Sequence, residues 1–397
     1  MDLPVYYRLD EQSVVTGFTA YKRRSSHELY HSLRRNVHKE SFTLASYTNE
    51  KEEAEYVQRI EAHYSKVLNY LEAMRFHYGD DVTFICGYEA GCLGYTLYHQ
   101  LTSHHVKCVI LAPTSMPTQK GKKKVKTDKR DARKIARCLA HHDYSAVHVP
   151  TAKDEETKEY IRMRDDHKLA LKKVKQQILA FCLRHNCSFP GKNHWTQIHL
   201  KWLQELKLGD LYQEILKEYL LTYSNLEDKL ERLDKRIEEL AAEEEYAENV
   251  HKLSCFLGIK TQSALSVLTE TGDFKRFGTA QQYASYLGLV PGEDSSGEDQ
   301  DRLGITKAGN RHLRMLLVEA AQSYSRGKPG YKSKELKKRQ EGNPPEVIAY
   351  ADKANERLRR KYYRLVLSYN KRSNVAKIAV ARELACFIWG MMTGNVA

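Results

Sequence analysis

The apolar run VTFICGYE at 82–89 constrains this chain more than any other feature. Short, continuous and bounded by turn residues, it reads as a buried strand. GCLGYTLYHQL after it reads as a helix, and KCVILAP (107–113) as another strand. SFTLASY (41–47) and AEYVQRI (54–60) read as two earlier strands. Between them and the first run, HYSKVLNYLEAMRFHYG carries Val67, Leu68, Leu71 and Met74 on one face of an amphipathic helix. DKRDARKIARCLAHH closes the region as a last helix. Strands followed by strand–helix alternation predict a mixed α/β sheet over 36–142.

The text changes after that, so the chain is α/β plus all-α. Residues 153–253 read as almost wholly helical. Leu226, Leu230, Leu233, Ile237 and Leu240 form a heptad seam of about two repeats. Two readings of the seam stand open: an antiparallel pairing with the helix near 155–185, or a dimer contact. Residues 225–250 hold ten acidic side chains against four basic ones, so the positive charge of the chain lies elsewhere and this arm is not a surface for a polyanion. Residues 251–324 read as a helical domain interrupted by one polar loop, PGEDSSGEDQDRLG (291–304). A basic linker follows, and 346–394 return to helix. The expected divisions are an unassigned extension (1–35), a sheet domain (36–150), a helical coiled-coil arm (151–250) and a helical domain with basic C-terminal helices (251–397).

Composition narrows the partners. A formal charge of +13 over 397 residues points to a polyanion, and nucleic acid fits better than a membrane surface because no basic amphipathic anchor stands out. No run approaches the roughly 18 apolar residues of a membrane helix, and the first 30 residues lack a signal-peptide core, so the expected location is the cytoplasm. Eight cysteines stand singly, with no CxxC pair, and read as reduced core thiols.

Two places could carry chemistry. In VKTDKRDARK (125–134), Asp128 and Asp131 fall on one face of a first helical turn, where an N-cap and a dipole-favoured acid are the ordinary explanation. Glu89, at the carboxyl end of a buried strand, stands where open α/β sheets gather their sites. Three such carboxylates repel one another unless they bind a cation, and oxygen-only ligands near phosphate suit Mg2+. Lys124, Lys126, Arg130 and Arg133, among other nearby cations, would then hold a nucleic-acid backbone, although a solvated basic helix explains many of them equally. In the polar loop, Ser295 and Ser296 are ordinary turn residues by themselves. The following ITKAGNRHLR puts Lys307, Arg311 and Arg314 on one side of a helix start, with N–H groups around Gly309 and Asn310 that would bind phosphate. Two weaker signals are CFLGIKTQSALSVL (255–268), a packing element with a helix-hairpin-helix look, and Tyr362, Tyr363 and Tyr369 among arginines and lysines, as in stacking surfaces.

NVHKESFTLA, CGYEAGCLGYTLYHQL, VKTDKRDARKIARCL and LGLVPGEDSSGEDQDRLGITKAGNRHLRMLLVEAA together resemble the DEDD-type insertion-sequence transposases, the bridge-RNA-guided recombinases. The resemblance covers roughly residues 36–325. It implies a ribonuclease-H-fold, RuvC-like domain, a coiled-coil arm and a transposase domain with a nucleophilic serine. It makes Glu89, Asp128 and Asp131 three of four acidic Mg2+ ligands and Ser296 the nucleophile. It further implies a non-coding guide RNA pairing with donor and target DNA, and a homo-oligomer, dimer or tetramer, in which one subunit's acids meet another's serine.

One position departs from the pattern. Where the family carries its first aspartate, this chain has Asn36, nearly isosteric but neutral, a single weak carbonyl ligand. A decayed copy, a deliberate substitution, or a different layout in which VYYRLDEQSVV supplies the first strand and Asp10 the acid would each account for it. The expected activity is RNA-guided DNA transposition through a phosphoserine. The rivals are a RuvC-like nuclease acting by hydrolysis and a nucleic-acid-binding relative that has lost catalysis.

Overall fold

Strand β2 (Ser41–Thr48) is buried from Phe42 to Thr48, so both faces of its sheet must be covered. Phe42 and Leu44 turn to one core, shared with Val67, Tyr70 and Leu71 of α1 (Tyr64–Tyr78) and Leu97 and Leu101 of α2 (Thr96–Ser103). Ala45 and Tyr47 turn to the other, shared with Ala132, Ile135, Ala136 and Leu139 of α3 (Asp128–Ala140). The period of two along a strand makes this division. A computed structural model describes residues 29–35, 41–48, 54–79, 83–91, 94–117, 127–296 and 299–395, and the chain divides into two compact units, Met1–Val149 and Pro150–Ala397.

The sheet of the first unit runs β3 (Glu55–Glu61), β2, β1 (Leu29–Arg35), β4 (Phe84–Glu89), β5 (Lys107–Leu111). β1–β2 and β2–β3 are antiparallel, and β1–β4 and β4–β5 parallel. The central strand corrects the sequence expectation: it is LYHSLRR, drawn from the segment set aside as an unassigned extension, while VYYRLDEQSVV lies outside the described residues. It is illegible beforehand because a central strand is held by backbone ladders on both sides, and this one bonds from Leu29 to Arg35 against β2 and from Leu29 to Leu33 against β4. Asn36 and Asp10 lie outside the described residues.

In the second unit, α4 (Ala152–Arg184) and α6 (Asp210–Ala241) lie side by side, with α5 (Gln197–Glu205) between them in the chain. Lys153 pairs with Glu243 at 2.6 Å, Arg164 with Asp234 at 2.6 Å and Lys175 with Glu227 at 2.7 Å. Partner numbers fall as residue numbers rise, so the two helices run antiparallel. Of the heptad seam, Leu230, Ile237 and Leu240 are buried, while Leu226 and Leu233 are half-buried. A core of Val174, Ile178, Phe181, Leu203 and Leu216 closes the far end of the hairpin.

A boundary near residue 250 does not divide this unit. Ile161, Ile237 and Leu240 share one core with Phe256, Leu265, Leu313 and Leu384, so the base of the hairpin is built into the helices that follow. Those are α7 (Glu244–Leu253), α8 (Thr261–Thr271), α9 (Ala280–Tyr286), α10 (Arg311–Ala321), α11 (Lys334–Gln340), α12 (Pro345–Tyr363) and α13 (Ser373–Met392). The turn read as a packing element packs closely: Gly258 has φ +86°, and a Cβ there would stand 2.4 Å from the Ala320 carbonyl oxygen. The expected polar loop is instead an antiparallel hairpin, β6 (Pro291–Ser296) and β7 (Asp299–Ile305). Its strands lack apolar alternation, which hid them; a glycine opening a two-residue connection between Ser296 and Asp299 was the available signal. No helix among the described residues is long and apolar enough to cross a membrane. The seven cysteines among the described residues are unpaired thiols.

If Ile237, 1% exposed, anchors the hairpin to the common core, Ile237→Ala should lower unfolding free energy by about 2–4 kcal/mol. Leu183→Ala, at a residue 76% exposed, should change it by less than about 0.5 kcal/mol. Shifts in the urea midpoint of the two variants measure both.

Candidate functional site

Glu89 is the last residue of β4, which lies between two parallel neighbours, so its side chain stands at the carboxyl edge of the sheet. Phe84, Cys86 and Tyr88 belong to the α1–α2 core and Ile85 to the α3 core. Alternation therefore turns Glu89 to the α3 side. α3 begins at Asp128, and Asp128 and Asp131 precede Ala132 and Ile135 by one turn each on the stripe that faces the sheet. All three carboxylates are half-buried. The helix is capped by Thr127, whose hydroxyl accepts from the Arg130 N–H at 3.4 Å, and not by Asp128 as the ordinary explanation had it. The N-cap position therefore belongs to Thr127.

The donor set, carboxylate oxygens alone, is the chemistry of a hard divalent cation. Among the described residues, however, no three Asp, Glu, His or Cys side chains converge into a group able to hold a metal ion, so these three carboxylates share an edge and a face without closing a cage. Arg130 and Arg133 are exposed on α3, while Lys124 and Lys126 lie outside the described residues.

In the second unit, Ser296 ends β6, paired with Asp299 across the hairpin connection. The base of the hairpin is fixed by tight backbone contacts. Thr306 donates to the Val290 carbonyl at 2.9 Å and Lys307 to the Gly288 carbonyl at 3.1 Å. Gly288 (φ +64°) and Gly309 (φ +93°) admit no side chain: a Cβ would stand 2.1 Å from the Ala308 oxygen and 2.0 Å from the Tyr286 oxygen respectively. The N–H groups expected to bind phosphate are partly engaged. Asn310 donates its N–H to the Tyr286 carbonyl at 3.1 Å, and its side chain caps α10 by accepting from Leu313. Arg314 is also engaged, donating to the Leu287 carbonyl at 2.8 Å, whereas Lys307 and Arg311 are exposed.

Sequence reasoning missed what holds this turn. Glu270 of α8 is buried, accepts from Arg162 of α4 at 2.7 and 3.0 Å, and accepts from the Asn310 side chain at 2.8 Å. Burial would raise its carboxyl, but the bonds from Arg162 and Asn310 outweigh this and hold it below its ordinary value. Beside it, Asp165 accepts from Arg164 at 3.1 Å and from Gln262 at 3.2 Å, and His312 lies 3.1 Å from the Ser266 hydroxyl. The helical hairpin and the start of α10 are therefore one polar network. An acid inside the apolar run SALSVLTET was the only sequence signal.

Comparisons with known proteins identify the family. Residues 250–336 match the Transposase IS116/IS110/IS902 family, and residues 36–186 match a DEDD transposase model of the IS110 type. A putative transposase, y4qE, of Sinorhizobium fredii is 37% identical over 304 residues, 77% of this chain and 74% of the relative. The transposase for insertion sequence element IS1533 of Leptospira borgpetersenii is 32% identical over 339 residues, 83% of this chain and 95% of the relative. The two matches fall one largely on the sheet unit and one on the helical unit, and both belong to insertion-sequence transposases. The chain belongs to the IS116/IS110/IS902 transposase family.

Removing the Glu270 carboxylate strands the Asn310 amide and the Arg162 guanidinium, and Glu270→Ala should cost about 1–3 kcal/mol. Because its folded value is depressed, this contribution is present above the unfolded value of about 4.3 and is lost as pH falls through the lower folded one. Urea titrations at neutral pH and below about pH 4 should show the difference between wild type and variant shrinking in acid.

Proposed function

We propose that the chain cuts and rejoins DNA as the transposase of an insertion sequence, guided by a non-coding bridge RNA, with Ser296 as nucleophile. The observation that carries the reading is the β3-β2-β1-β4-β5 order with Glu89, Asp128 and Asp131 toward one face of its carboxyl edge. That order supports a ribonuclease-H, RuvC-like reading of the first unit, and family membership supports DNA as the substrate. In the reaction, the Ser296 hydroxyl attacks a DNA phosphorus. A phosphorus–oxygen bond to serine forms as the bond to one sugar oxygen breaks, the serine proton is lost, and the departing strand end takes up a proton. The phosphodiester is conserved in the phosphoserine, so attack by another strand's hydroxyl rejoins DNA without ATP. Glu89, Asp128 and Asp131, with Asn36 in the fourth position, are the residues that would hold Mg2+, which when bound supplies positive charge beside the phosphate. The exposed Arg130, Arg133, Lys307 and Arg311, together with Lys124 and Lys126, bind the backbone without reading sequence, which pairing with the RNA reads instead. Arg314 positions the turn through Leu287. The working form is a homo-oligomer, dimer or tetramer, in the cytoplasm beside the nucleoid.

Wild-type protein incubated with its DNA and guide RNA should give a protein–DNA adduct that survives denaturation, and Ser296→Ala should give none. A Ser296→Ala variant that still cuts DNA would instead identify a hydrolytic nuclease. Asn36 favours a second reading, a copy that binds nucleic acid without catalysis. If that reading holds, the adduct should appear only after Asn36→Asp; adduct formation by the chain as it stands would dismiss it. Sequencing the RNA that co-purifies with the protein should return one discrete structured species, whereas random cellular RNA would remove the guide from the proposal.

A further inference from the structure

The family match ends at residue 336, and α12 and α13 beyond it, with the segment around Lys332, border an open cavity of about 1230 Å3. Six cations line it: Lys332, Lys353, Arg357, Arg360, Lys361 and Arg364. Five of the six fall at spacings of four, three, one and three along α12 and its continuation, so they form one helical stripe. From 353 to 364 the stripe is roughly 16 Å long, the axial rise of about five successive phosphates of one DNA strand.

Three carboxylates also line the cavity, and each is committed to a cation of the lining. Asp352 accepts from Lys332 at 2.7 Å, Glu356 from Arg360, and Glu383 from both Arg357 and Lys361. These pairs fix the directions of long flexible side chains, and six cations against three carboxylates still leave an excess of three positive charges. At the end of the stripe, Arg364–Ser368 form a π-helical turn, a rare widening that occurs mostly at functional positions. Past it, Tyr369 is 60% exposed, followed by exposed Lys371 and Arg372. Of the three tyrosines read from sequence as a stacking surface, Tyr362 is buried and bonded to Ser373 and Tyr363 donates to the Gly327 carbonyl, so Tyr369 alone offers a ring face. The volume exceeds that of most small-molecule sites, and its charge suits a chain of phosphates.

The geometry points to this cavity as a second binding site for a nucleic-acid phosphodiester backbone, lined by none of the residues of the acidic edge or the serine hairpin, with Tyr369 at the end of the stripe available to stack where a strand is unpaired. The assignment rests on the proposed function for the presence of nucleic acid, but not on its chemistry. DNA duplex and folded RNA share the ligand chemistry, and the test separates them.

Full-length protein carrying Lys353→Gln, Arg360→Gln and Arg364→Gln is titrated with a duplex DNA and, separately, with a structured RNA over a range of salt. Each lost phosphate contact removes about 0.9 from the slope of log affinity against log salt for duplex DNA, so the slope should fall in magnitude by about 2–3 and affinity near 0.1 M salt on the order of a hundredfold. A fall with DNA alone, RNA alone or both supports the site and names its occupant. Unchanged slopes with both, in a variant that melts within a few degrees of wild type, would overturn it. So would an equal fall with Lys217→Gln, Arg232→Gln and Lys235→Gln on the acidic arm. Should the triple variant not fold, Arg364→Glu alone carries the same test. Because Ser296, Glu89, Asp128 and Asp131 are untouched, adduct formation at saturating DNA reports separately on the chemistry: its absence from wild type removes the serine mechanism and leaves the salt slopes to decide the cavity.

Discussion

The apolar stripe of α3 against the sheet is the contact on which the first unit depends. Ala132, Ile135, Ala136 and Leu139 cover Ala45, Tyr47 and Ile85, and without that cover a strand buried like β2 would expose one face to water. The same stripe, continued one turn toward the helix start, consists of Asp128 and Asp131. Burial of the apolar part brings the acidic part to the side of the sheet on which Glu89 ends β4. Packing sets the position of the carboxylates, and Thr127 supplies the helix cap.

The second unit solves a different problem. Its hairpin strands are polar in sequence, and the turn at their base is held by backbone and side-chain bonds. Gly288 and Gly309 let backbone strands approach closer than any side chain would allow, and Asn310 ties the turn to α9 through the Tyr286 carbonyl. Glu270 then joins Asn310 to Arg162 on the long helix α4. A buried carboxylate with three hydrogen bonds is stable only when all are made, which makes this turn a rigid support. The antiparallel hairpin of α4 and α6 is part of that support, since its base shares the core of the helices after residue 250.

Much of this was legible along the chain. The strands at 82–89 and 107–113 announced themselves through apolar runs, and those at 41–47 and 54–60 through their β-branched and aromatic residues. α1 and α3 showed their faces through helical spacing, and Glu89, Asp128 and Asp131 stood out as candidates because carboxylates beside such signals are conspicuous. β1 was not legible: LYHSLRR has neither alternation nor an apolar run, and its place comes from hydrogen bonds to strands on both sides. Glu270 was equally hidden, because its partners lie 108 and 40 residues away in the chain. Arg314 looked like a free phosphate ligand and is a strut on the Leu287 carbonyl.

The sequence by itself determined the covalent inventory: which acids, which serine, an asparagine at 36 and a surplus of positive charge that calls for a polyanion. It also determined where local periodicity forces a helix or a buried strand, because those patterns depend on near neighbours alone. Only the tertiary structure decided which strand lies at the centre of the sheet, which cations are tied to carbonyls or carboxylates, and that five basic residues of α12 and the turn after it line one cavity with Glu383 of α13. Each of these is a long-range pairing, which no stretch of local sequence specifies.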